Sequence, residues 1–308
     1  MSDLPQFAYY EGKIVPYSEA KVGVLTMALN YGTACFGGLR GYWNDAEQQL
    51  YVFRPLDHFK RFLNSAKILQ MDLGLTAPQL VDLTLDLLRA EGKHEDVYIR
   101  PLAYQADEGI GVRLHDVRST VSICAIPFGS YMTECGAHVT FSSWRRVDDN
   151  AIPPRGKISG AYVNSAFIKT DAHHGGYDEA LVLNHDGHIS EGSAANFFML
   201  RDGVIVTPCV TDNSLEGITR RTILVLLRNE LGMQVEERSI DRSEVYVCDE
   251  AWFCGTGVQV APIIKVDHRP IGTGECGPFV AKLRELFFDV VRGKVAKYCD
   301  WLVPVYKK

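Results

Sequence analysis

Long apolar runs are missing from this 308-residue sequence, and so is an excess of positive charge. No apolar run approaches the ~20 residues that a helix needs to span a bilayer, which argues against a membrane protein. The N-terminal segment has no basic stretch followed by an apolar core, so we expect no signal peptide. The 32 Lys and Arg residues against 38 Asp and Glu residues give a net charge of −6, which argues against a nucleic-acid partner.

Paired cysteines are missing as well. The eight cysteines are dispersed and form no C-x-x-C pair, which is typical of reduced thiols rather than of a disulfide framework or a metal site. We therefore predict a cytoplasmic protein without a bound metal. Internal repeats and low-complexity stretches are also missing, and the chain is long enough for two domains.

Periodicity and turn signals predict two α/β domains. YYEGKIVPY indicates a hairpin that turns at Glu11-Gly12, and VYIRPLAYQ and STVSICAIPF indicate strands. Helices are predicted around HFKRFLNSAKIL and over LTAPQLVDLTLDLLRAEGK. The segment 127–136 follows neither period, so we predict an interdomain linker there. The smaller N-terminal α/β domain would be 1–126 and the C-terminal domain 137–308.

The second domain is predicted to be mainly antiparallel. Asp186-Gly187 and Asp202-Gly203 each lie between apolar segments, which is a strong signal for successive hairpins. EVYVCDEAWFCGTGVQVAPIIKVD has strand character. LEGITRRTILVLLRNELGM and GPFVAKLRELFFDVVRGK have the periodicity of amphipathic helices.

One lysine lies among small and turn-forming residues in PPRGKISGAYVNSAF. Lys157 follows Gly156 and precedes an Ile-Ser-Gly turn, and Tyr162 comes shortly after. A lysine that forms an imine must lose its proton, and burial near other positive charge lowers the pKa of such a group. Taken alone, this residue would more often be an ordinary exposed lysine.

A glutamate ends a predicted strand in HISEGSAANFFML. The small residues after Glu191 allow backbone to approach a ligand closely. A carboxylate placed there can accept a hydrogen bond from a protonated pyridine nitrogen and keep that ring an electron sink. The alternative is a turn glutamate that faces water.

Two glycine-containing turns and one arginine are candidates for binding a phosphate. LEGITR, from Leu215 to Arg220, opens a predicted helix, whose first N–H groups favour an anion. CGTG, from Cys254 to Gly257, follows a predicted strand and offers N–H groups and a hydroxyl. Arg61 could add a charge-assisted hydrogen bond, although on its own it could equally be a surface arginine of an amphipathic helix.

Taken together and in order, these segments resemble the fold-type IV pyridoxal-phosphate transaminases, and the branched-chain amino-acid aminotransferases most closely. The resemblance runs from about Tyr31 to Trp301. NYGTACFGGLRGYW, HFKRFLNSAKI and VYIRPL resemble the family's Tyr-Gly-Thr segment, phosphate-arginine helix and substrate-carboxylate strand. GKISGAY, ISEGSAAN, LEGITRR and CGTG then follow in the family's order. The ordered set is far more specific than any one of its members.

The resemblance implies a fold, a cofactor and a site. The fold would be α/β (α+β), with a smaller N-terminal α/β domain and a larger C-terminal pseudo-barrel domain, and the cofactor would be pyridoxal 5′-phosphate. Lys157 would carry the cofactor as an imine, Tyr162 would hydrogen-bond its 3′-oxygen and Glu191 its pyridine nitrogen. The remaining cofactor contacts would come from Arg61, Leu215, Gly217, Ile218, Thr219, Gly255 and Thr256. The substrate side would be lined by Tyr31, Phe36, Tyr98, Arg100 and Arg113.

The implied reaction moves the amino group of an aliphatic, branched-chain L-amino acid to 2-oxoglutarate, in a homodimer whose second subunit completes the site with a loop. The sequence departs from the family where Gly37 replaces the usual glutamate after the phenylalanine, and where Ala194-Ala195 precedes Asn196. With Arg113 and Arg118 on a candidate pocket loop, the lost carboxylate predicts a relaxed pocket that also accepts (R)-amines. The alternative is that the two arginines belong to a solvated surface.

Three alternatives stay open on the sequence alone. The chain could be a transaminase for D-amino acids or (R)-amines, or an aminodeoxychorismate lyase, which eliminates with the same cofactor. It could also be a cofactor-binding protein that has lost catalysis, although the joint presence of Lys157, Tyr162 and Glu191 argues against that.

Two further segments are interpreted as structural. Trp144-Arg145-Arg146 is interpreted as an ordinary strand-to-loop edge, and His173-His174 as a helix end rather than a metal site.

Overall fold

The structure is a computed structural model that describes residues 4–129 and 136–306. The helices and strands along these residues are β1 (Phe7–Tyr10), β2 (Lys13–Pro16), α1 (Met27–Tyr31), β3 (Ala34–Phe36), β4 (Leu39–Asn44), β5 (Gln49–Phe53), α2 (Pro55–Ile68), α3 (Ala77–Glu91), β6 (Val97–Gln105), β7 (Ser119–Pro127), β8 (Ala137–Phe141), α4 (Tyr162–His174), β9 (Glu179–Leu183), β10 (Ile189–Gly192), β11 (Asn196–Arg201), β12 (Val204–Thr207), α5 (Ile218–Asn229), β13 (Val235–Glu237), β14 (Glu250–Gly255), β15 (Gln259–Val266), β16 (Arg269–Pro270), α6 (Pro278–Val291) and β17 (Leu302–Pro304). Short 3-10 helices lie at Tyr17–Glu19, Ser159–Ala161, Arg242–Val247 and Ala296–Trp301. None of the helices in the described ranges is long and apolar enough to cross a membrane.

The chain divides into two compact units. The first unit consists of Met1–Gly129, Gly156–Gly160 and Asp289–Lys308, and the second of Ser130–Arg155 and Ala161–Phe288. This differs from the predicted continuous domain over 137–308, because two later segments pack into the first unit. Ile158 forms a β-bridge with Cys35, and β17 pairs with β5. In the predicted linker 127–136, residues 130–135 lie outside the described ranges.

The first unit is built on an antiparallel sheet with the strand order β17-β5-β4-β6-β7-β1-β2, and β3 pairs with β6. The predicted hairpin at Glu11-Gly12 is confirmed, since both residues have positive φ between β1 and β2. Helix α3 begins at the predicted N-cap, where Thr76 and Gln79 form a reciprocal capping box, and ends at Gly92. Such a cap contributes about 1 kcal/mol.

The second unit contains a sheet with the strand order β10-β9-β8-β15-β14-β11-β12-β13, with β16 on β15. The pairs β8–β9, β8–β15 and β12–β13 are parallel and the other pairs are antiparallel, as predicted for most of this half. The two predicted Asp-Gly hairpins join β9 to β10 and β11 to β12. Val139, Ile189, Phe197 and Phe253 are fully buried in its core, which fixes β10 and β11 at the site described next.

Candidate active site

The lysine segment of the first unit is held through its backbone. The Lys157 N–H donates to Ser65 Oγ at 3.1 Å, and its carbonyl accepts from the Phe36 N–H at 3.0 Å. The Lys157 side chain is half-buried, and its Nζ lies 5.1 Å from the centre of the Phe36 ring. The backbone contacts on both sides therefore fix the main chain of Lys157.

Ser65 connects the lysine segment to the helix that carries Arg61. Its Oγ donates to the Arg61 carbonyl at 3.0 Å while it accepts from Lys157, and both Ser65 and Arg61 are buried. Ser65 was not among the site residues predicted from the sequence. The available signal was its position four residues after Arg61, which places the two residues on one face of α2.

Two glycines let the lysine segment approach the segment after α1. A β-carbon on Gly32 would lie 2.9 Å from Gly160 Cα, and Gly32 has φ +68°, so a side chain there would clash and be strained. The Gly160 N–H donates to the Gly32 carbonyl at 3.2 Å. Tyr31, which ends α1, accepts from the Gly111 N–H at 3.0 Å and so ties the loop that contains Arg113 to this region.

Phe36, Tyr98 and Arg100, three predicted substrate residues, lie together. The Arg100 guanidinium carbon is 4.4 Å from the centre of the Phe36 ring and 5.2 Å from that of Tyr98, and its Nη2 donates to Tyr98 Oη at 3.2 Å. Arg100 has no ion pair with any carboxylate in residues 4–129 and 136–306. The Phe36 ring therefore has the amino group of Lys157 and the guanidinium of Arg100 near it.

The two glycines after Phe36 leave little room. A β-carbon at Gly37 would lie 2.6 Å from Pro101 Cγ, and one at Gly38 would lie 2.2 Å from Tyr98 Oη. Loss of the family's glutamate at position 37 therefore removes a charge without opening space.

Arg118, expected to add charge to the pocket, forms ion pairs with Glu11 at 3.2 Å and Asp107 at 3.9 Å, so that expectation is wrong for this residue.

In the second unit, the Glu191 carboxylate is buried and accepts three contacts. Oε1 lies 2.8 Å from Arg146 Nη2, and Oε2 accepts from Asn196 Nδ2 at 3.1 Å and from the Leu215 N–H at 3.3 Å. The Asn196 amide also donates to the Leu215 carbonyl at 2.9 Å. Arg146 lies in the loop after β8, as predicted, but the sequence did not indicate that its guanidinium would be almost buried against Glu191.

The predicted phosphate-binding segments lie near Glu191 within the same unit. Helix α5 begins at Ile218 with no side-chain cap on Gly217, so its first N–H groups are available to an anion. A β-carbon at Gly217 would lie 2.1 Å from Asn196 Oδ1, which requires glycine there. Asn196 pairs with Cys254 in the sheet, which brings Gly255 and Thr256 to this end of the unit.

Two buried thiols close to these residues are unsuited to nucleophilic chemistry. Burial raises the pKa of Cys35, next to Phe36, to about 12, and burial raises the pKa of Cys254 to about 12 as well. Both thiols are therefore neutral near pH 7 and are poor nucleophiles. No group of three or more His, Cys, Asp or Glu side chains arranged for a metal ion occurs in the described part of the chain.

Comparison with known proteins identifies the family. The sequence model of the family described as "Amino-transferase class IV" matches residues 36–266. The chain belongs to the class IV aminotransferases. The match confirms the resemblance, the fold class and the assignment as a transaminase, and it includes most of the predicted site residues.

Individual relatives of this class IV aminotransferase match over almost the whole chain. A protein of Aquifex aeolicus named "Probable branched-chain-amino-acid aminotransferase" is 47% identical, over 98% of this chain and 97% of its own length. The crystal structure of a branched-chain aminotransferase from Thermoproteus uzoniensis with norvaline has a TM-score of 0.94 and 42% identity, covering 98% of this chain and 100% of the other. The crystal structure of a branched-chain amino acid aminotransferase from Thermobaculum terrenum in its PLP-form (holo-form) has a TM-score of 0.94 and 37% identity, covering 99% of each chain.

Proposed function

We propose that this class IV aminotransferase moves the amino group of a branched-chain L-amino acid to 2-oxoglutarate with pyridoxal 5′-phosphate as cofactor. The names of the relatives support the reaction, and the holo-form of the Thermobaculum terrenum enzyme supports the cofactor. The observation that carries the proposal is Lys157, held by its backbone with its amino group near the Phe36 ring, which the Arg100 guanidinium also approaches. The relatives do not favour the D-amino-acid, (R)-amine or lyase alternatives.

The residues of each unit fit this cofactor. In the first unit, Lys157 would bind the aldehyde covalently and Arg61 would bind the phosphate. In the second unit, the uncapped start of α5 with Gly217, Ile218 and Thr219 would bind phosphate together with Gly255 and Thr256. Glu191 would accept from the pyridine N–H, Tyr162 would donate to the 3′-oxygen, and Leu215 would pack on the ring. When bound, the cofactor supplies an aldehyde and an electron-withdrawing ring that stabilises negative charge on the amino acid's α-carbon.

Lys157 is the residue that moves the proton. Its Nζ would act as general base and then as general acid, taking the proton from the substrate α-carbon and later releasing it. The side chain is half-buried and its backbone is fixed by hydrogen bonds, which would limit how far this nitrogen can move from a bound substrate. The Phe36 ring offers an apolar face to an aliphatic side chain of the donor.

Arg100 would recognise the second carboxylate of 2-oxoglutarate. It is exposed, has no carboxylate partner within the described ranges, and is oriented by Tyr98 and Phe36. A guanidinium binds a carboxylate through charge-assisted hydrogen bonds that a neutral side chain cannot replace.

A substrate comparison tests this assignment. Replacing Arg100 by Met should lower kcat/KM for 2-oxoglutarate by about 10–100-fold, because a hydrogen bond to a charged group is worth roughly 1.5–3 kcal/mol. The reaction of L-leucine with the monocarboxylic 3-methyl-2-oxobutanoate, in which neither substrate has a second carboxylate, is the control and should change much less. Equal losses for both oxo acids would show that Arg100 does not recognise the second carboxylate.

The same assay decides the donor range. L-Leucine, L-isoleucine and L-valine should be good donors. The structure removes the steric argument for activity towards (R)-1-phenylethylamine, because Pro101 fills the space beside Gly37. Only the missing carboxylate charge at position 37 still supports that activity. Turnover of the (R)-amine comparable with that of L-leucine would favour the alternative assignment.

We further propose a homodimer through an apolar surface of the first unit. Val24, Leu29, Ile110 and Val112 are 80%, 62%, 89% and 84% exposed, on two segments that the hydrogen bond from the Gly109 N–H to the Leu25 carbonyl joins. Contiguous exposed apolar surface of this kind marks interaction sites.

We also propose that the protein is located in the cytoplasm. The seven described cysteines are all free, which suits a reducing compartment.

Sedimentation equilibrium tests the dimer. The wild type should have twice the mass of the chain, and the double variant Ile110→Asp, Val112→Asp should shift towards the monomer. Val247→Asp, at a residue 64% exposed in the second unit, is the matched control and should stay dimeric. A monomeric wild type would contradict the proposal.

A further inference from the structure

The Glu191 carboxylate has one hydrogen-bonding position left. A carboxylate can accept about four hydrogen bonds. Three positions are used by Arg146, Asn196 and the Leu215 N–H within the described residues, two of them on Oε2 and one on Oε1. The remaining position is therefore on Oε1, the oxygen that Arg146 contacts.

Arg146 is itself fixed by its surroundings. Its Nε donates to the Asn213 carbonyl at 3.4 Å, and its backbone N–H donates to the Leu183 carbonyl at 2.9 Å. Its side chain is 10% exposed and that of Glu191 is 4% exposed. A buried carboxylate requires a compensating charge, and Arg146 provides it from one side only.

A second ion pair in the same unit shows what a purely structural arrangement looks like. Both oxygens of Glu244 are filled, Oε1 by Arg238 and the Asp241 N–H, and Oε2 by Arg201 and Arg238. No acceptor position remains for a ligand there. Glu191 differs because its Arg partner occupies one position of Oε1 and leaves the other.

We propose that Arg146 is a positioning residue, which compensates the charge of Glu191 and orients Oε1 towards the cofactor's pyridine nitrogen. This rests on the proposed function. Arg146 does not contact the reacting atoms and acts through Glu191 alone. Removing Arg146 should therefore weaken cofactor binding and turnover when the Glu191 carboxylate is present, and should have little effect when it is absent.

The experiment compares variants of the holoenzyme by four measurements: kcat and KM for L-leucine, pyridoxal-phosphate affinity by titration of the apoenzyme, the visible spectrum of the bound cofactor, and Tm. Arg146→Gln should lower kcat and cofactor affinity by about 10–100-fold each and change the spectrum, with KM nearly constant. Arg146→Lys, which keeps the charge, should recover most of the loss. Arg201→Gln, which removes one of the two arginine partners of Glu244, should lower Tm and leave the other measurements unchanged.

The decisive comparison is made in the Glu191→Gln background. Adding Arg146→Gln there should change kcat less than about twofold, because coupled residues are not additive. This double variant has no uncompensated buried carboxylate, so it carries the test if Arg146→Gln alone does not fold. A further loss of tenfold or more in that background, or an Arg146→Gln variant with wild-type affinity and spectrum, would overturn the proposal. A wild type that neither binds the cofactor nor transaminates would instead overturn the proposed function.

Discussion

Replacing Lys157 by alanine should abolish transamination, with kcat falling by about 10⁴-fold or more. One residue would supply both the covalent attachment and the general acid and base, and proton transfer by a positioned group alone contributes about 10²–10⁴-fold. The variant should still fold, since the backbone contacts to Ser65 and Phe36 do not involve the side chain. Formation of glutamate from L-leucine and 2-oxoglutarate measures the effect.

Lys67→Ala is the matched control for this variant. Lys67 lies on α2, the helix of Ser65 and Arg61, but it is exposed. Replacing Lys67 tests whether the loss of a different lysine in this region also reduces transamination. The activity of Lys67→Ala should stay near wild type. Residual turnover near wild type in Lys157→Ala would mean that another group carries the reaction.

Glu191→Gln should lower kcat by about 10–100-fold while the fold is retained. A neutral amide cannot stabilise a protonated ring nitrogen as a carboxylate does, and a charged hydrogen bond of roughly 1.5–3 kcal/mol corresponds to that range. The substitution also leaves Arg146 without its carboxylate, so Tm should fall as well. Stopped-time assays at saturating cofactor separate the catalytic loss from weaker cofactor binding.

Glu250→Gln distinguishes a catalytic loss from a general loss of stability. The Glu250 carboxylate accepts from the Phe279 and Val280 N–H groups at the start of α6, so it has a structural role in the same unit. This control should lower Tm without lowering kcat. An unchanged kcat in Glu191→Gln would show that Glu191 is not the partner of the ring nitrogen.

Local signals in the sequence were sufficient for most elements. The capping box of Thr76 and Gln79 and the Asp-Gly turns act within a few residues, so they predict helix α3 and the hairpins correctly. The site motifs were likewise recognisable because each is a short segment with its functional residue inside it. The family comparison confirms the family that these motifs indicated, while the roles of the individual residues stay predictions.

Contacts between segments far apart in the chain could not be predicted from the sequence. Ser65 and Lys157 are 92 residues apart, and no local pattern indicates that a serine hydroxyl will accept from that lysine's backbone. Arg146 looked like a strand edge because its partner, Glu191, follows another helix and another strand. The return of β17 to β5 depends on sheet pairing that periodicity does not specify.

The most direct test of the central claim is to map the lysine that carries the cofactor. The holoenzyme is reduced with borohydride, digested, and analysed by mass spectrometry for a peptide with a phosphopyridoxyl group. We predict the group on Lys157 and on no other lysine. A label on a different lysine, or a protein that retains no phosphopyridoxyl group after reduction, would contradict the assignment of Lys157.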